Sequence, residues 1–395
     1  MLPVTRPWLP PLDDYVELLE DIWQSRMLSN FGKYARLLET KSRTYLGNPQ
    51  AFAVVNADIG LVLSLAALRL PGGSECLIPS FTFNSTINAV LWNRLRPVFV
   101  DIDPATFNVD VEDMARRIRP ATSVLVATHV FGSPLDLDHV LSLAGSHGLP
   151  TVFDAAHAFG ALYHGRKIGD PEFGDFQVFS FSGTKLVTSA EGGLIAAGKR
   201  EYVERLERLR GYGFLHDYVS DYVGLNGKLS ELHAALATLT VDRAEDAVSR
   251  RHLLAAQYRR LLAPCGGILF QNHLPGTRTT YKDFAVLCPA NRDGLAAHLG
   301  ELGVQTKKYF HPLHTMPAYG PFRTEDDDLA DTEAVAQRVL CLPMFNDLEE
   351  GDVVRVCETI LGFYGVKEGV VGAPRVLRVH GGEAASADAG QDPLV

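Results

Sequence analysis

Between Ala51 and Gly198 two hydrophobic patterns alternate along the chain. Short runs rich in β-branched and aromatic residues predict strands: AFAVV (Ala51–Val55), ECLIP (Glu75–Pro79), PVFVD (Pro97–Asp101), SVLVATHV (Ser123–Val130), TVFD (Thr151–Asp154), FQVFSFS (Phe176–Ser182) and GGLIAAG (Gly192–Gly198). Between most of them apolar residues recur at helical spacing, near 59–69, 82–92, 111–118 and 137–146. Apolar strands separated by amphipathic helices predict an α/β fold, a mostly parallel sheet sandwiched by helices. Ligands of such sheets bind beyond the carboxyl ends of the strands. Polar residues just after the strands therefore hold the functional interest.

Outside this region the pattern changes. Pro3, Pro7, Pro10 and Pro11 break any early helix, and helical spacing then runs from Asp13 to Arg26, so residues 1–50 read as an N-terminal arm with a helix. Helical patterns dominate from Arg200 to about Leu262; Tyr281–Cys288 returns to strand character and Arg292–Leu302 to helix. The expected division is a large domain over 51–245 and a smaller C-terminal α/β domain over 246–370. Residues 371–395 are rich in Ala, Gly, Asp and Glu and read as a disordered tail.

Composition narrows the function classes. A net charge of −10 without a basic stripe argues against a nucleic-acid partner, while leaving room for a locally positive site for small anions. Cys76, Cys265, Cys288, Cys341 and Cys357 are odd in number and scattered without a CxxC pair, so no disulfide framework or zinc site is expected, and no metal ligand set stands out. The proline-rich, acidic start does not read as a signal peptide, and no apolar run reaches the length of a membrane helix; the expectation is a cytoplasmic protein with no membrane partner.

Four segments could carry chemistry. In VFDAAHAFG (Val152–Gly160), Asp154 ends a strand and His157 follows it. Such an Asp either caps a helix or, at the floor of a cleft, holds a proton on a bound heterocyclic nitrogen. In VFSFSGTKLVTSAEGG (Val178–Gly193), Lys185 follows a strand through a small-residue turn among apolar neighbours. That setting lowers an amine's pKa and makes it a nucleophile for a carbonyl carbon. Ser180 stands at the same strand end, with a hydroxyl able to meet a phosphate. VVNADIGLVLSLAALRL (Val54–Leu70) reads strand, turn, helix, a backbone anion cradle at Asn56-Ala57-Asp58. In PSFTFNSTINAV (Pro79–Val90), Phe81 and Phe83 are either core aromatics or platforms for a flat ring.

These segments in this order resemble the DegT/DnrJ/EryC1/StrS aminotransferases, with further support from PVFVDIDPATFNVD (Pro97–Asp110), THVFGSPLDLD (Thr128–Asp138), GLNGKLSELHAAL (Gly224–Leu236) and YFHPLHTMPAY (Tyr309–Tyr319). The resemblance covers Leu9 to Tyr364. It implies the aspartate aminotransferase fold type I with a seven-stranded sheet, pyridoxal 5'-phosphate as cofactor, and amino transfer between glutamate and a keto sugar carried by a nucleotide. By resemblance Lys185 bonds to the cofactor and moves the proton, Asp154 partners the ring nitrogen, and His157 lies beside the ring. Phe83 rather than Phe81 stacks on the ring, and Ser180 with Ala57 and Asp58 binds the phosphate. Asn226 reaches that phosphate from a second subunit, which implies a homodimer with shared sites; Lys228 meets the substrate diphosphate, and Tyr309, His311 and His314 flank the substrate pocket. Asp58 departs from the family's Ser-Gly-Thr-like turn: its carboxylate would repel a phosphate, so it either points away or caps the helix. The lysine favours transamination over the dehydration of relatives that carry His there. Thr184–Gly193 and Leu9–Glu39 resemble members acting at a sugar C4 ketone, with a dTDP-linked 4-keto-6-deoxyhexose as expected acceptor. The alternatives are a 3-keto nucleotide sugar, a cyclitol ketone, or a regulatory protein that kept the fold without catalysis.

Overall fold

The computed structural model of the chain describes residues 1–325 and 327–366; the expected tail at 371–395 lies outside the described residues. The central sheet is built from β1 (Ala51–Val54), β2 (Glu75–Pro79), β3 (Arg96–Val100), β4 (Thr122–Thr128), β5 (Thr151–Asp154), β6 (Phe176–Ser180) and β7 (Gly193–Ala197). These seven strands lie in the order β1-β7-β6-β5-β4-β2-β3. Only β7 runs antiparallel to its neighbours β1 and β6; the other pairs are parallel.

The near-continuous apolar strands have a simple cause. Side chains alternate across a strand, and here both faces are covered. Ala51, Ala53, Leu77, Leu125, Ala127, Phe153 and Phe179 join one core, while Phe52, Val54, Ile78, Val124, Val126, Val152 and Val178 join the other. The helices are α1 (Leu12–Ser25), α2 (Lys33–Leu46), α3 (Ala57–Leu68), α4 (Asn84–Trp92), α5 (Val111–Arg117), α6 (Leu137–His147), α7 (Val203–Leu209), α8 (Glu231–Val241), α9 (Ala244–Leu262), α10 (Arg292–Glu301), α11 (Ala330–Arg338) and α12 (Glu350–Phe363). Residues of α1, α2, α5, α6 and α8 pack in the first core, and those of α3, α4 and α7 in the second. Several helix starts are written locally: Asn56, Asp110, Asp136, Ser230 and Asn291 each accept a backbone N–H of the first turn.

A third core gathers Leu254, Tyr258, Phe284, Leu295, Leu340, Val356 and Ile360 around an antiparallel sheet of β8 (Leu269–Phe270), β9 (Phe284–Leu287) and β10 (Val339–Leu342). One helix joins two cores: Ala244, Ala247 and Val248 of α9 pack in the first, and Leu254, Tyr258 and Leu262 in the third. It runs through the expected 245/246 boundary.

The structure adds detail to the arm and departs from the sequence reading after Arg200. The arm is tied down. Leu2 N donates to Gly303 O (2.7 Å), Gln305 N to Leu2 O (2.9 Å) and Met344 N to Val4 O (3.0 Å). It also contains α2, which has no local cap; Glu231 of α8 accepts from Tyr34 N (2.6 Å) and Ala35 N (3.3 Å) instead. The helical stretch after Arg200 is interrupted by a hairpin pairing Phe214–His216 with Val219–Ser220, turned at Asp217 and Tyr218 with positive φ. All five cysteines are buried and free.

Candidate active site

A cavity of about 240 Å³ opens beyond the carboxyl ends of β2, β4, β5 and β6, bounded by the start of α3. Its lining includes Asn56, Ala57, Asp58, Thr82, Phe83, Thr128, Asp154, His157, Ser180, Lys185, Lys282, Tyr309 and Phe310. Each strand end delivers one part, as the topology of a parallel sheet dictates.

Asp154, the last residue of β5, is buried. Its carboxylate accepts from Thr86 Oγ1 (2.7 Å) and from Ala156 N (3.0 Å). Burial raises its pKa, and those two hydrogen bonds and the charge of Lys185 oppose the rise. A carboxylate can accept about four hydrogen bonds, so capacity is left on a group held inside a cavity. Lys185 sits in the turn after β6, half-buried. Burial, reinforced by the positive charge of Lys282, pushes its amine down to about 7, against the pull of Asp154. A large fraction of that amine is therefore neutral and nucleophilic near neutral pH. His157 lies nearly parallel to the rings of Phe131 and Phe310 (12° and 15°). Burial first, then the lysines 185, 282 and 307, hold its pKa well below the ordinary histidine value. Its Nδ1 is buried without a hydrogen-bond partner.

The two phenylalanines separate cleanly. Phe81 is fully buried against Phe107, Phe131 and Phe310, whereas Phe83 precedes α4 with 52% of its surface exposed at the cavity. At the anion cradle the helix cap is Asn56, whose Oδ1 accepts from Ile59 N (2.9 Å). Asp58 does not hold the cap; it is exposed in the first turn at the cavity mouth. The turn lies hard against β7: a Cβ at Gly193 would come within 2.8 Å of Ala57 N, which only glycine avoids. Ser180 ends β6 at the cavity wall.

The remaining expected residues do not all converge. Tyr309 lines the cavity, its hydroxyl accepting from Lys307 Nζ (3.1 Å). His311 is exposed and bonded to Thr315 (3.2 Å). The expectation for His314 is corrected: it is buried away from the cavity, with Nδ1 on Ser80 Oγ (2.7 Å) and Nε2 on Glu333 Oε1 (3.0 Å). Nδ1 ties the 309–319 loop to the end of β2, and Nε2 ties it to α11. Asn226 and Lys228 lie outside this cavity on the segment after the hairpin; Lys228 Nζ donates to Asn226 Oδ1 (2.6 Å) and sits 4.0 Å from the Tyr212 ring centre. Sequence reasoning missed Lys282, buried and paired with its neighbour Asp283 (3.0 Å), and the threonines 82, 86 and 128. Thr82 and Thr86 stood in view at i,i+4 spacing within the PSFTFNST segment; Lys282 had no local signal.

The profile of the DegT/DnrJ/EryC1/StrS aminotransferase family matches residues 13–361. The chain is 33% identical to dTDP-4-amino-4,6-dideoxy-D-glucose transaminase of Escherichia coli, over 91% of this chain and 98% of that protein. It is 30% identical to GDP-perosamine synthase of Escherichia coli O157:H7, over 93% and 99% of the two chains. The solved structure of DesI in the presence of its TDP-sugar product superposes with a TM-score of 0.84 at 34% identity, covering 91% of this chain and 92% of that one. With a cavity amine facing a buried carboxylate, and with matches across nearly its whole length, this chain belongs to the DegT/DnrJ/EryC1/StrS aminotransferase family and is a pyridoxal phosphate-dependent enzyme of the transaminase class.

Proposed function

We propose that the chain transfers an amino group from L-glutamate to the C4 ketone of a dTDP-linked 4-keto-6-deoxyhexose. The observation that carries the reading is that Asp154 and Lys185 line one cavity. The donor set around them fits the cofactor. A buried carboxylate with spare acceptor capacity suits a protonated ring nitrogen, and a largely neutral amine suits an aldehyde. The first-turn N–H groups of α3 and the Ser180 hydroxyl suit a phosphate. Exposed Phe83 offers a flat face, and the unpartnered Nδ1 of His157 suits a polar ring substituent.

When bound, the cofactor supplies a carbonyl carbon and an electron-withdrawing ring. The chain's own residues do the rest. Asp154 keeps a positive charge on the ring nitrogen by pairing with it. Lys185, whose amine titrates near neutrality, accepts a proton at Nζ as base and returns it as acid. Lys282 biases that amine toward its neutral form, and Tyr309 with Phe310 narrows the cavity against water.

The nucleotide and the ketone position rest on likeness. One relative is named for a dTDP-linked 4-amino sugar, and DesI was solved with a TDP-sugar product, whereas another relative is named for a GDP-linked sugar. A homodimer is supported by large apolar side chains left open: Phe83 at the cavity, Trp92 on α4, and Leu215, Tyr218, Val219 and Val223 on and after the hairpin. Asn226, exposed and turned to Lys228, is then offered to a second copy's site, and Lys228 to its substrate diphosphate. A cytoplasmic location fits a chain in which no described helix is long and apolar enough to cross a membrane.

Incubating the enzyme with glutamate and a panel of 3-keto and 4-keto nucleotide sugars, followed by mass spectrometry, tests the reading. Amination of the dTDP-linked 4-keto-6-deoxyhexose is expected. Preference for a 3-keto acceptor would move the assignment to C3, and amination of none would overturn it.

A further inference from the structure

Behind Asp154 lies a row of buried hydroxyls that the chemistry above leaves unused. Thr128 Oγ1 is 2.7 Å from Thr82 Oγ1, Thr82 Oγ1 is 3.0 Å from Thr86 Oγ1, and Thr86 Oγ1 is 2.7 Å from Asp154 Oδ2. Thr82 and Thr86 come from the segment entering α4, and Thr128 ends β4, so the row joins two strand ends along the cavity floor, where Thr82 and Thr128 also line the cavity. Their exposures are 1%, 1% and 5%.

A hydroxyl carries one hydrogen, so each threonine donates once. Thr86 donates to the ionised carboxylate. It must then accept from Thr82, and Thr82 must accept from Thr128. Every hydrogen points toward Asp154. Were Asp154 protonated at Oδ2 and donating to Thr86, the row would have to reverse, and the Thr128 hydrogen would turn from Thr82 toward the cavity it lines. The reversal would forfeit the stronger hydrogen bond that a hydroxyl makes to a charged acceptor, and hydrogen bonds in a row polarise one another. The other charges acting on Asp154 are Lys185, which favours its ionised form, and Asp58, which opposes it.

We propose that Thr128, Thr82 and Thr86 form a one-way hydroxyl chain that keeps Asp154 ionised and aimed at the cofactor's ring nitrogen, the three threonines acting as positioning residues. The inference rests on the cofactor assignment above. Its advantage is physical: a carboxylate buried in the cavity floor is pushed toward its neutral acid, and an uncharged Asp154 could not hold a proton on the ring. The chain opposes that push through the Oδ2 that Thr86 holds.

The test compares Thr86→Val, Thr86→Ser and Thr128→Val with the parent protein. The Asp154 carboxyl stretch is followed by infrared spectroscopy in cofactor-free, isotope-labelled protein across pH, with Asp154→Asn identifying the band. Cofactor affinity is measured separately by fluorescence. Thr86→Val is expected to raise the carboxyl midpoint and weaken cofactor binding by about 10-fold, the size of one lost hydrogen bond to a charged group. Thr86→Ser, which keeps the hydroxyl, restores both. The Thr128→Val change removes no contact with Asp154, yet shifts both in the same direction by about 2-fold, the fraction expected of a cooperative neighbour. Unchanged midpoint and affinity in folded Thr86→Val, or in Thr128→Val if the former does not fold, overturns the chain. Failure of the parent protein itself to bind pyridoxal phosphate would instead strike the cofactor assignment.

Discussion

The cavity floor and the flank that carries Asn226 are built in opposite ways. At the floor, Asp154 and the threonines are buried, and the carboxylate is held by neighbours from the same chain. On the flank, Asn226 is exposed with its side chain turned to Lys228, and the hairpin beside it exposes Tyr218 by 87% and Val219 by 53%. Charge chemistry needs a fixed, dry setting, because electrostatic effects strengthen where water is excluded. A polar arm flanked by open apolar side chains is instead suited to completion by another surface. The proposed acid–base pair thus lies within one chain, while the proposed role of Asn226 calls for a second copy.

The most damaging change should be at the floor. Lys185→Ala should cost at least about 10³-fold in turnover, since it removes both nucleophile and proton carrier. Asp154→Ala should cost about 10²- to 10³-fold with the circular dichroism of the native fold retained. Near-native activity in either variant would remove the floor from the mechanism. The flank is probed by mixing inactive Lys185→Ala and Asn226→Ala subunits: if Asn226 serves its neighbour, mixed dimers regain one working site. No regain, given subunit exchange and two inactive parents, would mean that each subunit works alone.

A gentler probe uses pH. Burial lowers the Lys185 amine from 10.5 to about 7, so in the cofactor-free protein aldehyde adduct formation at Lys185 should rise with a midpoint near 7. The sign for stability follows. Between those two values the unfolded chain holds the extra proton, so this group's contribution to stability grows as pH rises through the window. Lys185→Met should remove that growth in pH-dependent unfolding; an adduct midpoint near 10 would show that the amine is solvated. The smallest effect on chemistry is expected from His314→Ala. It should lower stability by about 1–3 kcal/mol, because Ser80 and Glu333 lose a buried partner, while KM changes little. A large KM change with unaltered stability would return His314 to the substrate pocket.

The sheet was legible because its strands are covered on both faces and therefore carry unbroken apolar runs: ECLIP and TVFD match their strands to the residue. The gathering of Lys185, Asp154, Ser180 and Phe83 at one cavity was legible because ligands of such folds bind beyond strand ends. His314 misled because a histidine in a polar, aromatic loop reads the same whether its nitrogens face a ligand or Ser80 and Glu333. α2 went unseen because its first turn is capped by Glu231, nearly two hundred residues away.

Local sequence was enough for the alternation of strand and helix and for singling out Lys185 and Asp154 as an amine and a carboxylate at strand ends, because periodicity and residue chemistry are properties of neighbouring positions. It took the folded chain to bring the charge of Lys282 into the same cavity, to make Phe81 core and Phe83 wall, and to set three threonine hydroxyls in file to Asp154. Those outcomes depend on burial and on which distant segments meet, and neither is written in the spacing of adjacent residues.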